Sequence, residues 1–185
     1  MQTVIQGAGQ LQVTPIAYGT WQFGGDRWTS RLPVKAVQPP YHLFRRGIEA
    51  GLLPYAAHHI GVLAYGPLAR GLLGGTITEA TTFGPGRWRS HSPAFAGPGF
   101  RRNLQVVAAL SRFAADRGAT IAQLAVAWVL AHPAVQVAIV ARTPHHLQES
   151  VGALDLALSR DDLAETDSIM AAAVPLGGPS PEGMT

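Results

Sequence analysis

Apolar and polar positions along the chain change period several times, and each change marks an element. Thr3 to Ile5 and Leu11 to Val13 flank Gly7-Ala8-Gly9, and two short runs about a glycine-rich turn predict a β-hairpin. Ile16-Ala17-Tyr18 predicts a buried strand ending at Gly19-Thr20-Trp21, and residues 24–33 carry Gly, Ser and Pro without periodicity, as a loop does. Val34 to Val37 predicts a short strand stopped by Pro39-Pro40. From Leu43 to Ala57 the apolar positions Phe44, Ile48, Leu52 and Tyr55 recur at helical spacing, against the opposition of Gly47, Gly51 and Pro54. Ile60 to Tyr65 is a continuous apolar run of parallel-sheet type, ended by Gly66-Pro67, and a loop rich in Gly, Pro and Thr follows through Gly99.

The second half repeats one alternation. Phe100 to Arg117 is a helix with Leu104, Val107, Leu110 and Phe113 on one face and Gly118 just beyond its end. Thr120-Ile-Ala-Gln123 has the form of a capping box and opens an apolar helix that His132-Pro133 stops. Val135 to Ala141 reads as the next buried strand. Thr143-Pro144 places a cap before Pro at the first helical position, for a helix reaching Leu154. Ser159 to Asp162 opens another, to Ala172, and a loose Gly, Pro and Ser tail is expected from Val174 to Thr185. Strands separated by helices imply an α/β fold with a parallel sheet.

Composition narrows the function classes. With 47% hydrophobic and 14% charged residues, the 185-residue chain can bury a core as one soluble domain. Its formal charge of +3 is scattered, and the pairs Arg45-Arg46 and Arg101-Arg102 sit among apolar helical positions, too diffuse for a nucleic-acid surface. The absence of cysteine excludes disulfides, a thiolate nucleophile and a Cys-based metal site, and no metal-ligand set is picked out. The opening MQTVIQGAG has neither a basic region nor a long apolar run, and no segment approaches the roughly 18 apolar residues of a membrane span. The expectation is a cytoplasmic protein without a membrane partner.

Two segments could carry chemistry. The glycines of Gly66-Pro67-Leu68-Ala69-Arg70-Gly71 would let backbone amides approach a pyrophosphate, although Gly-Pro is also ordinary loop punctuation. At Ala141-Arg142-Thr143-Pro144 a strand end delivers a guanidinium and a cap hydroxyl to a helix N-terminus, which together make an anion site. The plainer alternative is that Thr143 only caps its helix and Arg142 is solvated.

The order of these pieces resembles the aldo-keto reductase family. LQVTPIAYGTWQFGGD is similar to that family's amino-terminal hairpin and first barrel strand. The stretch from Val37 to Gly75 resembles its sixth strand end, sixth helix and seventh strand with the following loop. Ala119 to Ser159 resembles its seventh helix, eighth strand and cofactor helix. The resemblance implies a partial (β/α)8 TIM-barrel with about four barrel strands plus the hairpin, forming one incomplete domain over residues 1–173 with a junction near residues 26–34. It further implies that Tyr65 stacks on a nicotinamide and Gln38 reaches its carboxamide. Gly66, Pro67, Leu68, Ala69 and Gly71 would wrap the pyrophosphate. Ala141, Arg142 and Thr143 would meet an adenosine 2'-phosphate, with His146, Glu149 and Ser150 at the adenosine end. Gly19, Thr20 and Trp21 would line the substrate and ribose side.

The chain departs from the family pattern at Val140, His146 and Ser150, where Gly, Gln and Asn are usual, and at Gly74, where Ser or Thr is common. A larger departure is that the family's catalytic Asp, Tyr, Lys and His lie after its second, third and fourth strands, and no residue here matches them. No catalytic residue is therefore assigned. A typical barrel needs about 250 residues, so a closed monomer is not expected. Three readings stay open, one of them a deleted or mis-spliced reading frame with no selected function; the other two assign a role. One is an NADP(H)-dependent oxidoreductase-family protein for small carbonyl substrates that keeps the cofactor end with impaired or no turnover. The other is an inactive fragment that self-associates, as a homo-oligomer, or pairs with a full-length relative.

Overall fold

A computed structural model describes residues 4–6, 11–13, 16–18, 36–84, 88–140 and 143–177. Strands β1 (Val4–Gln6) and β2 (Leu11–Val13) pair antiparallel, Val4 opposite Val13, as the flanked glycine turn predicts. Four further strands, β3 (Ile16–Tyr18), β4 (Ala36–Val37), β5 (Gly61–Tyr65) and β6 (Val137–Val140), form one sheet. Its order is β3-β6-β5-β4 and every pair is parallel. The first strand thus lies beside the last, which is how an arc of a closed α/β barrel is arranged.

The segment from Leu43 to Ala57 is not one helix. A tight turn joins His42 and Arg45, a 3-10 turn covers Gly47–Ala50, and α1 runs only from Leu52 to His59. Gly51 marks the break, at φ −140° and ψ −64°. Pro54 then falls in the first turn of α1, where a missing N–H leaves no bond unmade. The strand before it also differs from expectation: beyond β4 the chain keeps company with β5, since Tyr65 N–H donates to Pro39 O at 3.0 Å and Tyr41 N–H donates to Tyr65 O at 3.2 Å. The prolines do not stop this pairing because residues 39 and 40 are not asked to donate in it.

Helix α2 begins earlier than its apolar stripe, at Gly97, and runs to Ala115, burying Phe100, Val106, Val107, Leu110 and Phe113. Gly99 is required there, because an added Cβ would lie 2.3 Å from Pro93 O. Helix α3 (Ile121–Ala131) is buried along nearly its whole length, as a helix apolar on all sides must be. Its capping box is complete: Thr120 Oγ1 accepts from Gln123 N–H, and Gln123 Oε1 accepts from Thr120 N–H. Helix α4 (Pro144–Val151) gives way to a 3-10 turn at Gly152–Asp155, and α5 (Arg160–Met170) starts from a second capping box at Ser159 and Asp162. The paired Arg117 and Asp162 tie α5 to the end of α2.

Residues 174–176, expected at the start of a loose tail, pack against the rest of the chain. Leu176 is buried in the core and its N–H donates to Phe44 O at 2.9 Å. Fully buried Asn103 receives Val174 N–H on its Oδ1 at 2.8 Å and donates its Nδ2 to Val174 O at 3.1 Å. One side-chain amide therefore satisfies both backbone groups of Val174, which overrides a composition that reads as disordered.

Candidate functional site

Parallel pairing brings the carboxyl ends of the sheet strands to one rim: Tyr18 lies opposite Val140, and Tyr65 opposite Ile139. Ligand sites of α/β sheets lie beyond such ends. The sequence candidates Gly19, Thr20 and Trp21 follow β3, and Ala141 and Arg142 follow β6; these five lie outside the described residues. Gln38 follows β4 directly. It is exposed and precedes Pro39, whose carbonyl accepts from the N–H of half-buried Tyr65. The two residues implied for the nicotinamide thus lie at the ends of the neighbouring strands β4 and β5.

The turn after β5 is unusual in its backbone. Gly66 has φ +70° and Gly71 φ +95°, and between them Ala69 and Arg70 stand at φ 49° and 60°, a left-handed region that side chains with a Cβ enter at about 1–2 kcal/mol each. The turn is held by its own hydrogen bonds: Ala69 N–H to Gly66 O and Gly71 N–H to Leu68 O, both at 2.9 Å, then Leu73 N–H to Leu68 O at 3.1 Å. Those amides are occupied within the turn, so the glycines serve its shape as much as access to a ligand. Ala69 is buried, and the Arg70 guanidinium lies 5.2 Å from the centre of the Trp88 ring. Gly74 has a physical reason too, because a Cβ there would come within 3.1 Å of Gly71 O.

His42, which feels the charge of Arg70 in this turn, has 3% of its surface exposed and no hydrogen-bond partner for Nδ1. Burial of the imidazole, with Arg45 and Arg70 beside it, pushes His42 down to about 3. The histidine is therefore neutral at physiological pH, and the positive charges near the turn are those of the arginines.

At the end of β6, Thr143 is the N-cap of α4, accepting from His146 N–H at 3.3 Å, and Pro144 occupies the first helical position as expected. Thr143 and His146 are exposed. Half-buried Glu149 accepts on Oε1 from the Thr120 hydroxyl at 3.2 Å, while its main-chain carbonyl accepts from Gln123 Nε2 at 3.3 Å. Ser150 is different. It is buried and donates to His146 O at 2.8 Å, so its hydroxyl is directed to its own helix. Sequence reasoning missed two of these contacts. Nothing near Arg70 foretells Trp88, whereas Thr120 and Gln123 were legible as a cap but not as partners of Glu149.

Two hollows, of about 440 and 610 Å³, lie elsewhere, one between the 79–83 loop and the start of α2, the other between residues 43–47 and 167–177. Neither is lined by a residue named for the rim. Among the described residues no group of three His, Asp or Glu could hold a metal ion, and no helix is long and apolar enough to cross a membrane.

Comparison with known proteins agrees with the fold. A model of the aldo/keto reductase family matches residues 27–171. The chain is 36% identical over 148 residues to the aldo-keto reductase YhdN of Bacillus subtilis, covering 78% of this chain and 45% of that protein. It is 30% identical over 156 residues to the aldo-keto reductase yakc [NADP(+)] of Schizosaccharomyces pombe, covering 82% and 46%. Among solved structures, the glycerol dehydrogenase AKR11B4 from Gluconobacter oxydans superposes with a TM-score of 0.71 at 36% identity, covering 81% of this chain and 46% of that one. The chain thus spans a little under half the length of these relatives.

Proposed function

This chain belongs to the aldo/keto reductase family, and on that footing we propose that it binds NADP(H) at the carboxyl rim of its four-stranded sheet, as the nucleotide-holding part of a carbonyl-reducing oxidoreductase. The observation that carries this reading is that Gln38, Tyr65 and the left-handed turn through Gly71 gather at the rim, beside the strand β6 after which α4 begins at its Thr143 cap. Backbone outliers cluster at ligand sites because their strain persists only where the surroundings over-determine it.

The residues divide the nucleotide between them. Tyr65 offers a half-buried aromatic face for the nicotinamide and Gln38 an amide for its carboxamide, with Gly19, Thr20 and Trp21 on the substrate and ribose side. Gly66, Pro67, Leu68, Ala69 and Gly71 shape the cradle of the pyrophosphate, and the cationic Arg70 beside it complements the ligand's charge. Ala141, Arg142 and Thr143 present the helix N-terminus of α4 to the 2'-phosphate, and Glu149 faces the adenosine. When bound, NADPH supplies hydride; the residues of this chain bind and orient it. No general acid is assigned. Fluorescence titration of the chain with NADPH should give saturable binding, and a titration without saturation would overturn the proposal.

A second reading is favoured by the sheet itself, whose outer strands among the described residues are β3 and β4, where a closed barrel has no outer strand. In it the chain pairs with a second copy or a full-length relative. Light scattering should then give a mass above 19.5 kDa at micromolar concentration, and a stable monomer would sink this reading.

A further inference from the structure

A polar link joins the cap of α3 to the proposed nucleotide site. Thr120 Oγ1 has one proton and two acceptor positions. It accepts from Gln123 N–H at 3.2 Å, closing the cap of α3, and gives its proton to Glu149 Oε1 at 3.2 Å. Gln123 is likewise used at both ends of its amide, its Oε1 accepting from Thr120 N–H at 2.9 Å and its Nε2 donating to Glu149 O at 3.3 Å. Backbone and carboxylate of Glu149 are thus both grasped by the first turn of another helix. The fit is close, since a Cβ on Gly152, just past α4, would lie 2.3 Å from Gln123 Nε2. A cap serving only α3 would need none of these outward bonds.

We propose that Thr120 and Gln123 are positioning residues for the adenosine end of the cofactor, acting through Glu149. The proposal rests on the reading above that Glu149 meets the adenosine. A half-buried carboxylate on a flexible side chain loses rotamer freedom when it binds a ligand. Holding it by hydroxyl and amide before the ligand arrives removes part of that loss. The hydroxyl bond also keeps one oxygen turned toward α3, leaving the other to accept from a nucleotide N–H.

The test separates positioning from plain stabilisation. The 185-residue chain and its variants are titrated with NADPH and with reduced nicotinamide mononucleotide, which lacks the adenosine. Thr120→Val should weaken NADPH about two- to tenfold, the range of one hydrogen bond, and leave the mononucleotide unchanged. Thr120→Ser should restore NADPH binding. In a Glu149→Ala background Thr120→Val should have no further effect. Equal losses on both nucleotides, or a loss that persists without the Glu149 carboxylate, would overturn the proposal. NADPH binding that no Thr120 variant disturbs would overturn it while leaving the functional reading intact, and failure of the parent chain to bind NADPH would remove both.

Discussion

The two turns that leave the sheet beside one another are built in opposite ways. After β6, each described residue sits where its own chemistry prefers: Thr143 is extended and caps, Pro144 supplies its fixed φ, and α4 follows. After β5, Ala69 and Arg70 are held at left-handed φ by hydrogen bonds within the turn, by burial of Ala69 and by the Arg70–Trp88 stack. A cap forms wherever the sequence provides one. A left-handed turn through side-chain-bearing residues has to be imposed by its neighbours, and the fold maintains that strain at the proposed pyrophosphate cradle.

The largest expected effect concerns what both turns together can do. If they hold the phosphates of NADPH while Tyr65 and Gln38 hold its nicotinamide, hydride is in place, yet the oxygen formed on a reduced carbonyl must be protonated, and a positioned acid contributes about a hundred to ten thousand-fold. Donors arranged around that oxygen add about a hundred-fold or more. The purified chain should therefore oxidise NADPH with aldehydes, ketones or quinones well below the roughly one per second of a slow enzyme. Absorbance with protein from a reductase-deficient host measures this, and faster turnover would mean that an unassigned acid or a partner chain completes the site. A smaller effect separates the turns. Arg142→Ala should abolish a preference for NADPH over NADH of about ten- to a hundred-fold, the range of a charge-assisted bond. An unchanged ratio would move phosphate recognition away from the β6 corner.

The same contrast explains what could be read from sequence. The capping box at Thr120 was legible because it needs two residue types three apart, the α5 start at Ser159 as a helix opening, and the α2 stripe because a helix repeats every 3.6 residues. Four-strand topology was legible through resemblance, not spacing. Where the outcome depended on distant partners, the chain gave no sign. The packing of Val174 depends on Asn103, 71 residues away; the left-handed Arg70 depends on surroundings that include Trp88. Gly51 was legible as a weak point in its helix, but not as the place where the helix begins.

Buried His42, near the charge of Arg70, gives the molecule a pH response. Its folded value near 3 lies below the 6.5 of an exposed imidazole, so between these values the unfolded chain binds a proton that the folded chain does not. Stability from this group is complete above about pH 6.5 and is lost as pH falls toward 3, amounting to about 2 kcal/mol by pH 5. Asp162, held down to about 2 by Ser159 and then Arg117, changes little in that window and loses its contribution only below about pH 4. Burial lowers His132 as well, adding to the slope in the same sense. Urea denaturation at pH 7 and pH 5 should show the loss, and His42→Asn should remove most of it. An unaltered slope in that variant would place the proton elsewhere.

The smallest effects test the contrast between the turns directly, by thermal or urea unfolding at pH 7. Gly71→Ala puts a Cβ at φ +95° and should destabilise by about 1–2 kcal/mol. Thr143→Ala removes the α4 cap, a loss of about 1 kcal/mol, whereas Thr143→Gly should lose only a few tenths. Arg70→Gly is the discriminating variant, because two terms oppose. Relief of the left-handed strain returns about 1–2 kcal/mol. Against it stand the cation–π contact with Trp88, about 0.5–1 kcal/mol at a partly exposed site, and the added freedom of glycine in the unfolded chain, about 0.5–1 kcal/mol. The sum is close to zero, although the substitution deletes a charged side chain stacked on an aromatic ring. A loss above about 2 kcal/mol would mean that the guanidinium, rather than the backbone bonds from Gly66 to Leu73, holds the turn in its shape.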